Sequence, residues 1–568
     1  MTMIWISAIL ATLLSVGVSV AIGLFSPSSR ASKKDEYQLA ARNVSATNYA
    51  TASVGYALQM AAVFLFAYWG FRYGYGALWT VLFWFLGYGV LYFLLPRFVP
   101  YLAGESPRTL HEHLRAAYGD SRLLQFLAAG ATILGLLGAM IAEVDYTTQI
   151  YNPLLASKPP LIKLALEAFF LITGLCYVVF YGLKAEVNTE RWQVPIAYAG
   201  FLLALFFSFP AVWVESGRVT FAKIAWALLL TLLIIVVAKI NFRGGRERKW
   251  RVLLPDGQIA IPFIAIVLLI AEWQWLRLSH APGPNSGILD EPLGEQLRAQ
   301  GLLGVASLFF ANVFWMPVDL STWQRLASID TRGGGEVAFR RLREGTWRVL
   351  FESPASWCLG VVLGWTIRAA RVLLPGDDAS EGLKRFSTAL AEGRLSLGSS
   401  TLGSVGYFFF VASCVAVMLS TISSLLVAIS YTAERDFLPL LTKGSSNSSS
   451  LKSSRLLSVA IVVVGFAVYE FMRRQVGANL QTLLYGAYAA QLALVVIVLF
   501  MLFGRRKSRR AAIVSLLFGF SATVLSTFLA IKTGSDDFAV LPPLCAVFGA
   551  LAGYLFAYRQ SDEMVNAA

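Results

Sequence analysis

Four hydroxyl side chains lie within five consecutive positions of an apolar segment long enough to cross a membrane. They are Ser420, Thr421, Ser423 and Ser424, shortly after Val417. Hydroxyl and carbonyl oxygens suit a small hard cation, and a polar cluster in hydrocarbon is costly unless it has a function. The alternative is that these hydroxyls bond to carbonyls of their own helix, or allow two helices to pack closely. The density of the cluster favours an ion site.

The composition around this cluster is that of a polytopic helical membrane protein. Of the 568 residues, 57% are hydrophobic and only 14% are charged, and the mean hydropathy is +0.64. Because about 20 apolar residues cross a bilayer as a helix, the apolar runs predict roughly fifteen spans. These are 4–25, 45–70, 76–98, 123–149, 161–183, 190–213, 221–240, 257–276, 298–320, 348–370, 401–432, 455–472, 479–503, 511–531 and 537–558. The first run has no basic region before it, which favours a retained helix over a signal peptide.

The basic residues give the expected orientation of these spans. The net charge is +14, but Lys and Arg concentrate in alternate loops, as the positive-inside rule requires of a membrane protein. This pattern predicts an N-terminus outside and a C-terminus inside, and it argues against nucleic acid as a partner. We therefore expect a multi-pass protein in a lipid bilayer, the cell membrane and specifically a bacterial inner membrane.

Cysteine and histidine give no sign of a metal centre or a disulfide framework. The four cysteines, Cys176, Cys358, Cys414 and Cys545, are far apart in apolar stretches and are interpreted as packing residues. The stretch from His111 to His113 reads as a short basic loop and lacks the i, i+4 spacing of a helical zinc site.

Charged residues within membrane spans indicate function unless they reach water. Glu186 and Asp319 are expected near a membrane face, in contact with water. Glu190 is expected to open a helix, where the helix dipole favours a carboxylate. An enzyme that uses Glu143 and Asp145 as an acid–base pair is a further hypothesis. At i, i+2 on one helix, however, the two carboxylates point to different faces.

Two positions suggest broken helices. Gly55 lies in the span 45–70 and Pro317 lies in the span 298–320, early in the chain and about halfway along it. Transporters built from inverted repeats interrupt a helix at the binding site in each half, so that free backbone groups face the ion and the solute.

Ordered motifs extend across most of the chain. They are Thr109-Leu110 with Tyr118-Gly119; Tyr181-Gly-Leu-Lys-Ala185 with Thr189, Glu190 and Gln193; Asn312-Val-Phe-Trp315 with Gln324, Arg325 and Ala327; and Met418-Leu-Ser-Thr-Ile-Ser-Ser424 with Thr432-Ala-Glu-Arg-Asp436. In this order and spacing they resemble segments of the sodium:solute symporter family, which includes sodium–proline, sodium–sugar and sodium–sialic acid transporters. The resemblance covers residues 37–532.

The resemblance implies an all-α polytopic membrane fold with a leucine-transporter-like core of two inverted five-helix repeats and extra helices. The expected regions are a leading helix and loop (1–44), a first repeat (45–214), an inserted helix pair with an external loop (215–296), a second repeat (297–504), and two C-terminal helices with a short tail (505–568).

The resemblance also implies site residues. Ser420 and Thr421 would bind the main sodium ion, together with the backbone carbonyls of Gly55, Leu58 and Val417. Ser423, Ser424 and Glu190 would form a second sodium site. Gln59, Asn312 and Trp315 would contact the solute. The Asp that proline symporters carry in the first core helix is absent here.

The function expected from these residues is sodium-coupled symport of a small organic solute by alternating access, with sodium as the coupling ion. The alternative is a transporter-like sensory or regulatory subunit that binds a solute and acts through a partner protein, with the inserted helices 221–276 as the contact for that partner. Neither function is enzymatic.

Overall fold

The described part of the chain is helical almost throughout. The computed structural model describes residues 2–25, 34–102, 109–214, 301–330, 335–369, 379–395, 400–441, 451–471, 480–504, 507–534 and 536–567. Lipid offers no partner to a backbone N–H or C=O group, so apolar runs satisfy these groups within helices.

We number the helices along the chain. They are α1 Thr2–Phe25, α2 Lys34–Leu39, α3 Ala46–Ala57, α4 Met60–Tyr73, α5 Leu78–Leu102, α6 Leu110–Ala117, α7 Arg122–Gln149, α8 Asn152–Leu155, α9 Pro160–Val214, α10 Leu302–Val313, α11 Trp315–Val318, α12 Leu320–Ser328, α13 Gly335–Ala369, α14 Ala379–Ala391, α15 Ser400–Thr432, α16 Leu438–Leu441, α17 Leu451–Phe471, α18 Leu480–Leu492, α19 Val495–Phe503, α20 Arg509–Thr533, α21 Asp536–Ala539 and α22 Pro542–Ala567.

Length and composition make this a multi-pass membrane protein. Six stretches within the described residues are long and apolar enough to span a bilayer, and the bent pair α3–α4 adds a seventh if it is one span. The six are Met3–Gly23, Leu78–Leu102, Arg122–Gln149, Ser400–Phe437, Thr482–Phe503 and Arg509–Thr533. The predicted spans 221–240 and 257–276 lie outside the described residues.

Helix α15 is the centre of the bundle. Its most apolar window is buried on every side, and it packs most extensively against α9 and α1. A helix that is apolar around its whole circumference belongs in the interior of a large protein. The hydroxyl cluster is therefore far from lipid, where each hydroxyl must find a partner within the protein.

The backbone hydrogen bonds of the first broken helix are interrupted close to Gly55. Helices α3 and α4 meet at an angle of 58°. Leu58 and Gln59 between them have non-helical backbone angles, with ψ of 75° and 144°. Helix ends leave backbone groups unpaired, so the last carbonyls of α3 and the first N–H groups of α4 become available at this point.

The second broken helix is interrupted on both sides of Pro317. Phe314 separates α10 from α11, and Asp319, with ψ of 111°, separates α11 from α12. One parallel bridge joins the two broken helices: the N–H of Val44 donates to the carbonyl of Ser328, and the N–H of Asp330 donates to the carbonyl of Val44, each at 3.1 Å. The start of α3 and the end of α12 are thereby held together.

The spans 161–183 and 190–213 are separate helices, but their boundary differs from the expected one. The break within α9 lies at Gly182, with ψ of −159°, and the polar stretch 184–189 is already helical. Gly182 has φ of +70°, and a methyl group there would lie 2.3 Å from the carbonyl oxygen of Tyr37, so glycine is required. Glu190 is therefore two turns inside a helix, and the expected stabilisation by a helix N-terminus does not apply.

Candidate functional site

The end of α3 lies against a carboxylate and a hydroxyl from two other helices. Ser420 on α15 donates a hydrogen bond of 2.5 Å to Oε2 of Glu190 on α9. A methyl group at Gly55 would lie 1.9 Å from the same Oε2 and 2.8 Å from the Ser420 hydroxyl oxygen. The absence of a side chain at Gly55 therefore lets three helices meet where the first broken helix ends.

Among the predicted sodium ligands, two side-chain oxygen atoms have no hydrogen-bond partner within the described residues. They are Oε1 of Glu190 and Oγ1 of Thr421, and both residues are fully buried. A buried polar atom without a protein partner is costly, and a bound ion or water can offset that cost. Carboxylate, hydroxyl and carbonyl oxygens are the ligands of hard cations, so this donor set fits sodium.

The other predicted sodium ligands have different surroundings. Ser423 donates to the carbonyl of Ser420 at 2.8 Å, as the packing alternative for the hydroxyl cluster predicts. Leu58 lies in the break between α3 and α4, and Val417 is buried within α15. Leu58 thus lies outside the hydrogen-bonded interior of both helices.

Ser424 belongs to a buried ion pair. Arg325 of α12 forms a salt bridge of 2.6 Å with Oε1 of Glu186, and both side chains are almost completely buried. Ser424 donates to the same Oε1 at 2.6 Å and accepts a hydrogen bond from Arg325. The guanidinium also lies over the ring of Tyr56, 4.6 Å from its centroid. A positive charge of the protein itself therefore occupies the space beside Ser424.

Two expectations about exposure are corrected by this geometry. Glu186 and Asp319 have no exposed surface at all, so neither is in contact with water at a membrane face. Asp319 instead caps α12, where its carboxylate accepts hydrogen bonds from the N–H of Ser321 and from the N–H and hydroxyl of Thr322. The helix dipole and these bonds stabilise the buried charge, as the salt bridge stabilises Glu186.

A second carboxylate lies at the opposite side of the first break. Glu143 of α7 accepts hydrogen bonds from the N–H of Met60 at 2.7 Å and of Ala61 at 3.0 Å. These are the first two N–H groups of α4, which have no partner within their own helix. Glu143 is fully buried.

The predicted solute residues line one cavity beside this break. Its volume is about 70 Å³. Gln59, Asn312 and Trp315 are all among its lining residues, together with Tyr488 of α18. The Tyr488 hydroxyl donates to the Gln59 side-chain oxygen at 2.7 Å, and its ring lies 4.6 Å from that of Trp315. The three side chains proposed from the resemblance are thus brought together.

The enzyme hypothesis loses its geometric basis. Glu143 caps α4, whereas Asp145 forms a salt bridge of 2.7 Å with Lys163, so the two carboxylates have separate partners. Among the described residues, no group of three or more His, Cys, Asp or Glu side chains could hold a metal ion.

The histidine motif also differs from its expected form. His111 lies on the short helix α6 and not in a loop. Its Nδ1 is 2.7 Å from a carboxylate oxygen of Asp436, which lies in the π-helical turn Ala433–Phe437 that follows α15.

Three of these contacts were not predicted from the sequence. They are Glu143 with the N-terminus of α4, Glu186 with Arg325, and Tyr488 with Gln59. The sequence carried a signal for the first two, because Glu143 and Glu186 are charged residues in apolar surroundings. It did not indicate their partners.

The arrangement of helices resembles that of known transporters. A substrate-bound, outward-open sodium-coupled sialic acid symporter matches with a TM-score of 0.59 and 14% identity, over 98% of this chain and 98% of that chain. MhsT in complex with L-phenylalanine has a TM-score of 0.48 at 14% identity, over 93% of this chain and 99% of that chain. Mhp1, a nucleobase-cation-symport-1 family transporter, has a TM-score of 0.47 at 14% identity, over 94% and 96%.

No protein family was found to match the chain, and no curated protein matches it. At 14% identity, the match to the sialic acid symporter shows a common fold. That symporter is a transporter and not an enzyme.

Proposed function

We propose that this chain is a secondary active transporter that couples the movement of a small organic solute to sodium. The observation that carries the proposal is the position of Glu190, whose carboxylate lies between Gly55 at the end of α3 and Ser420 on α15. The fold shared with a sodium-coupled symporter supports it. Both repeats proposed for such a core, 45–214 and 297–504, begin near a broken helix.

The sodium ion would be bound by oxygens on both sides of this junction. The proposed side-chain ligands are Glu190, Ser420 and Thr421. The backbone carbonyls of Gly55, Leu58 and Val417 are proposed to complete the site. An ion held by α3 and α15 together would stabilise the one arrangement in which these helices are adjacent.

Charge balance favours one sodium ion in this region. Glu186 and Glu190 supply two negative charges beside α15, and Arg325 neutralises the first of them through its salt bridge. The third buried carboxylate, Asp319, is stabilised separately by the N-terminus of α12. We therefore propose that the Arg325 guanidinium takes the place of the second sodium that the family resemblance assigned to Glu190, Ser423 and Ser424. One monovalent cation beside Glu190 would then complete the balance.

Ion binding and solute binding would be coupled because both sites adjoin the break between α3 and α4. Leu58 and Gln59 are adjacent in the break, with the proposed ion site on one side and the cavity on the other. An ion that fixes the end of α3 would also fix Gln59, so the solute would bind more tightly to the sodium-bound state. By linkage, the solute would raise the affinity for sodium by the same factor.

Sodium itself is the probe for testing this proposal. Purified full-length protein should be thermally stabilised by sodium chloride but not by potassium or choline chloride, and this response should be lost in Glu190→Gln. Radioactive sodium should bind in competition with unlabelled sodium. Equal stabilisation by all three salts, with no saturable sodium binding, would contradict the assignment. Sodium binding without gradient-driven uptake of any bound solute in proteoliposomes would instead favour the sensory alternative.

A further inference from the structure

The N-terminus of α4 is already occupied by a carboxylate of the protein. Broken-helix transporters can direct the positive end of a half-helix at an anionic group of the substrate. Here Glu143 accepts hydrogen bonds from Met60 and Ala61, the two N–H groups best placed for that purpose. A carboxylate on the solute would therefore find these donors already occupied.

The cavity beside this terminus has aromatic walls and amide groups, but no charged lining residue among the described part of the chain. The aromatic lining residues are Phe66, Trp69, Trp84, Trp315, Trp357, Tyr485 and Tyr488. Trp84 and Trp357 are stacked with their centroids 4.0 Å apart, and Phe66 lies 4.4 Å from Trp357. Such walls favour an occupant with a flat face.

The two amides that line the cavity offer hydrogen-bond donors and acceptors to an occupant. The side-chain oxygen of Gln59 accepts from Tyr488, which leaves the Gln59 NH₂ as a donor. The Asn312 NH₂ donates to the Leu308 carbonyl at 2.8 Å, which leaves the Asn312 oxygen as an acceptor. A donor and an acceptor at one cavity match the edge of a ring that carries its own C=O and N–H groups.

The size of the cavity limits the occupant to a small molecule. Its volume of about 70 Å³ is below the roughly 150 Å³ of a cavity known to hold benzene. A ring can enter only if a lining side chain moves. Trp315 and Tyr488, which contact each other edge to face, lie on two different helices and are the side chains best placed to separate.

We propose that the transported solute is an uncharged, flat, single-ring compound with an amide-like edge, and that carboxylates are excluded by Glu143. This inference rests on the proposed transport function and specifies its substrate class. It separates the chain from the sialic acid symporter that it resembles in structure, since sialic acid carries a carboxylate.

Matched pairs of neutral and carboxylated rings test the proposal. Uracil and orotate, nicotinamide and nicotinate, and benzyl alcohol and benzoate are added separately to purified full-length protein in sodium buffer, and thermal stabilisation is measured. We expect neutral members, above all uracil and nicotinamide, to stabilise the protein and their carboxylated partners to have no effect. Stabilisation by the carboxylated members, or by no neutral member, would overturn the proposal.

Two variants identify the residues responsible. Glu143→Ala frees the N–H groups of Met60 and Ala61, so it should admit the carboxylated members; Glu344→Ala, at an exposed carboxylate, should not. Asn312→Ala should weaken binding of the neutral ring by about three- to tenfold, the usual effect of one lost hydrogen bond. If Glu143→Ala fails to fold, an unchanged affinity in Asn312→Ala alone would contradict the proposed binding mode.

Repeating the neutral-ring measurements in potassium buffer separates this inference from the proposed function. Ring binding that is equally tight in both salts would contradict sodium coupling while leaving the substrate class in place. Sodium-dependent stabilisation with no preference for neutral rings would contradict the substrate class while leaving sodium coupling in place.

Discussion

The hydroxyl of Ser420 donates a hydrogen bond of 2.5 Å to the carboxylate of Glu190, a residue 230 positions earlier in the chain. The bond joins α15 to α9 at the point where Gly55 brings in the end of α3. A serine in a buried helix usually bonds to its own backbone, as Ser423 does here. Ser420 and Ser424 instead donate to carboxylates, and the carboxylate that Ser420 meets is the one that lies against Gly55.

Removal of either partner should weaken sodium binding. Ser420→Ala and Glu190→Gln each take away a proposed ligand, and Glu190→Gln also removes the charge that the cation balances. We expect the apparent sodium affinity to fall at least about tenfold in each variant, equivalent to ~1.4 kcal/mol. Sodium titrations followed by thermal stabilisation measure the effect.

Ser413→Ala is the matched control for this prediction. Ser413 is a buried serine on the same helix, and its hydroxyl donates to the Phe409 carbonyl at 2.8 Å. Its replacement should leave the sodium response unchanged. A wild-type sodium affinity in both Ser420→Ala and Glu190→Gln would show that the ion binds elsewhere.

Sodium binding should also require the absence of a side chain at Gly55. In Gly55→Ala the added methyl group would lie 1.9 Å from the Glu190 oxygen, so α3 or Glu190 must move. We expect the sodium-dependent stabilisation to disappear. Gly130→Ala is the comparison, because a methyl group there meets no atom within 4 Å. Equal sodium responses in these two variants would contradict a site at this junction.

The general class of fold and the hydroxyl cluster could be predicted from the sequence, because both depend on local composition. A run of apolar residues must become a helix in lipid, and Ser420 and Thr421 are conspicuous within one. The partner of Glu143 could not be predicted, since 83 residues separate it from Met60. Contacts at such separations depend on how helices pack, which local composition does not specify.

Burial of charge accounts for the wrong expectations. The polar stretch 184–189 reads as a loop in water, because isolated charges are rarely buried. Arg325, contributed by a helix 139 residues later, neutralises Glu186 and permits that stretch to be helical in the interior. Asp319 is buried for a different reason: its partners Ser321 and Thr322 are close in sequence, but the start of a helix at Leu320 was not predicted.

Loss of one partner of the ion pair between Glu186 and Arg325 should destabilise the fold, whereas replacement of both partners by apolar residues should be tolerated. Glu186→Gln leaves the guanidinium buried without its counter-charge, which typically costs about 3–5 kcal/mol of stability. The double variant Glu186→Leu with Arg325→Met should recover most of this loss. Thermal or detergent-induced unfolding of the single and double variants measures the coupling. Additive losses would mean that the two charges do not depend on each other.

Solute affinity should depend on the hydrogen bond between Tyr488 and Gln59. In Tyr488→Phe the ring remains against Trp315, but the Gln59 amide loses the partner that fixes its orientation. We expect the affinity for a neutral ring ligand such as uracil to fall by about three- to tenfold. Tyr118→Phe, which removes a hydroxyl bonded to the Ile497 carbonyl away from the cavity, should leave that affinity unchanged. Equal affinities in the two variants would contradict an orienting role.

Asp436 should stabilise the end of the helix that carries the proposed sodium ligands. It accepts hydrogen bonds from Thr109 at 2.8 Å and Gln125 at 2.9 Å, and its second oxygen lies 2.7 Å from Nδ1 of His111. An asparagine side chain has only one acceptor oxygen, so Asp436→Asn should lower the unfolding free energy by about 1–3 kcal/mol. Asp120→Asn, at an exposed carboxylate paired with Arg115, should leave the unfolding midpoint unchanged. If both variants unfold like the wild type, the turn after α15 is held by other contacts.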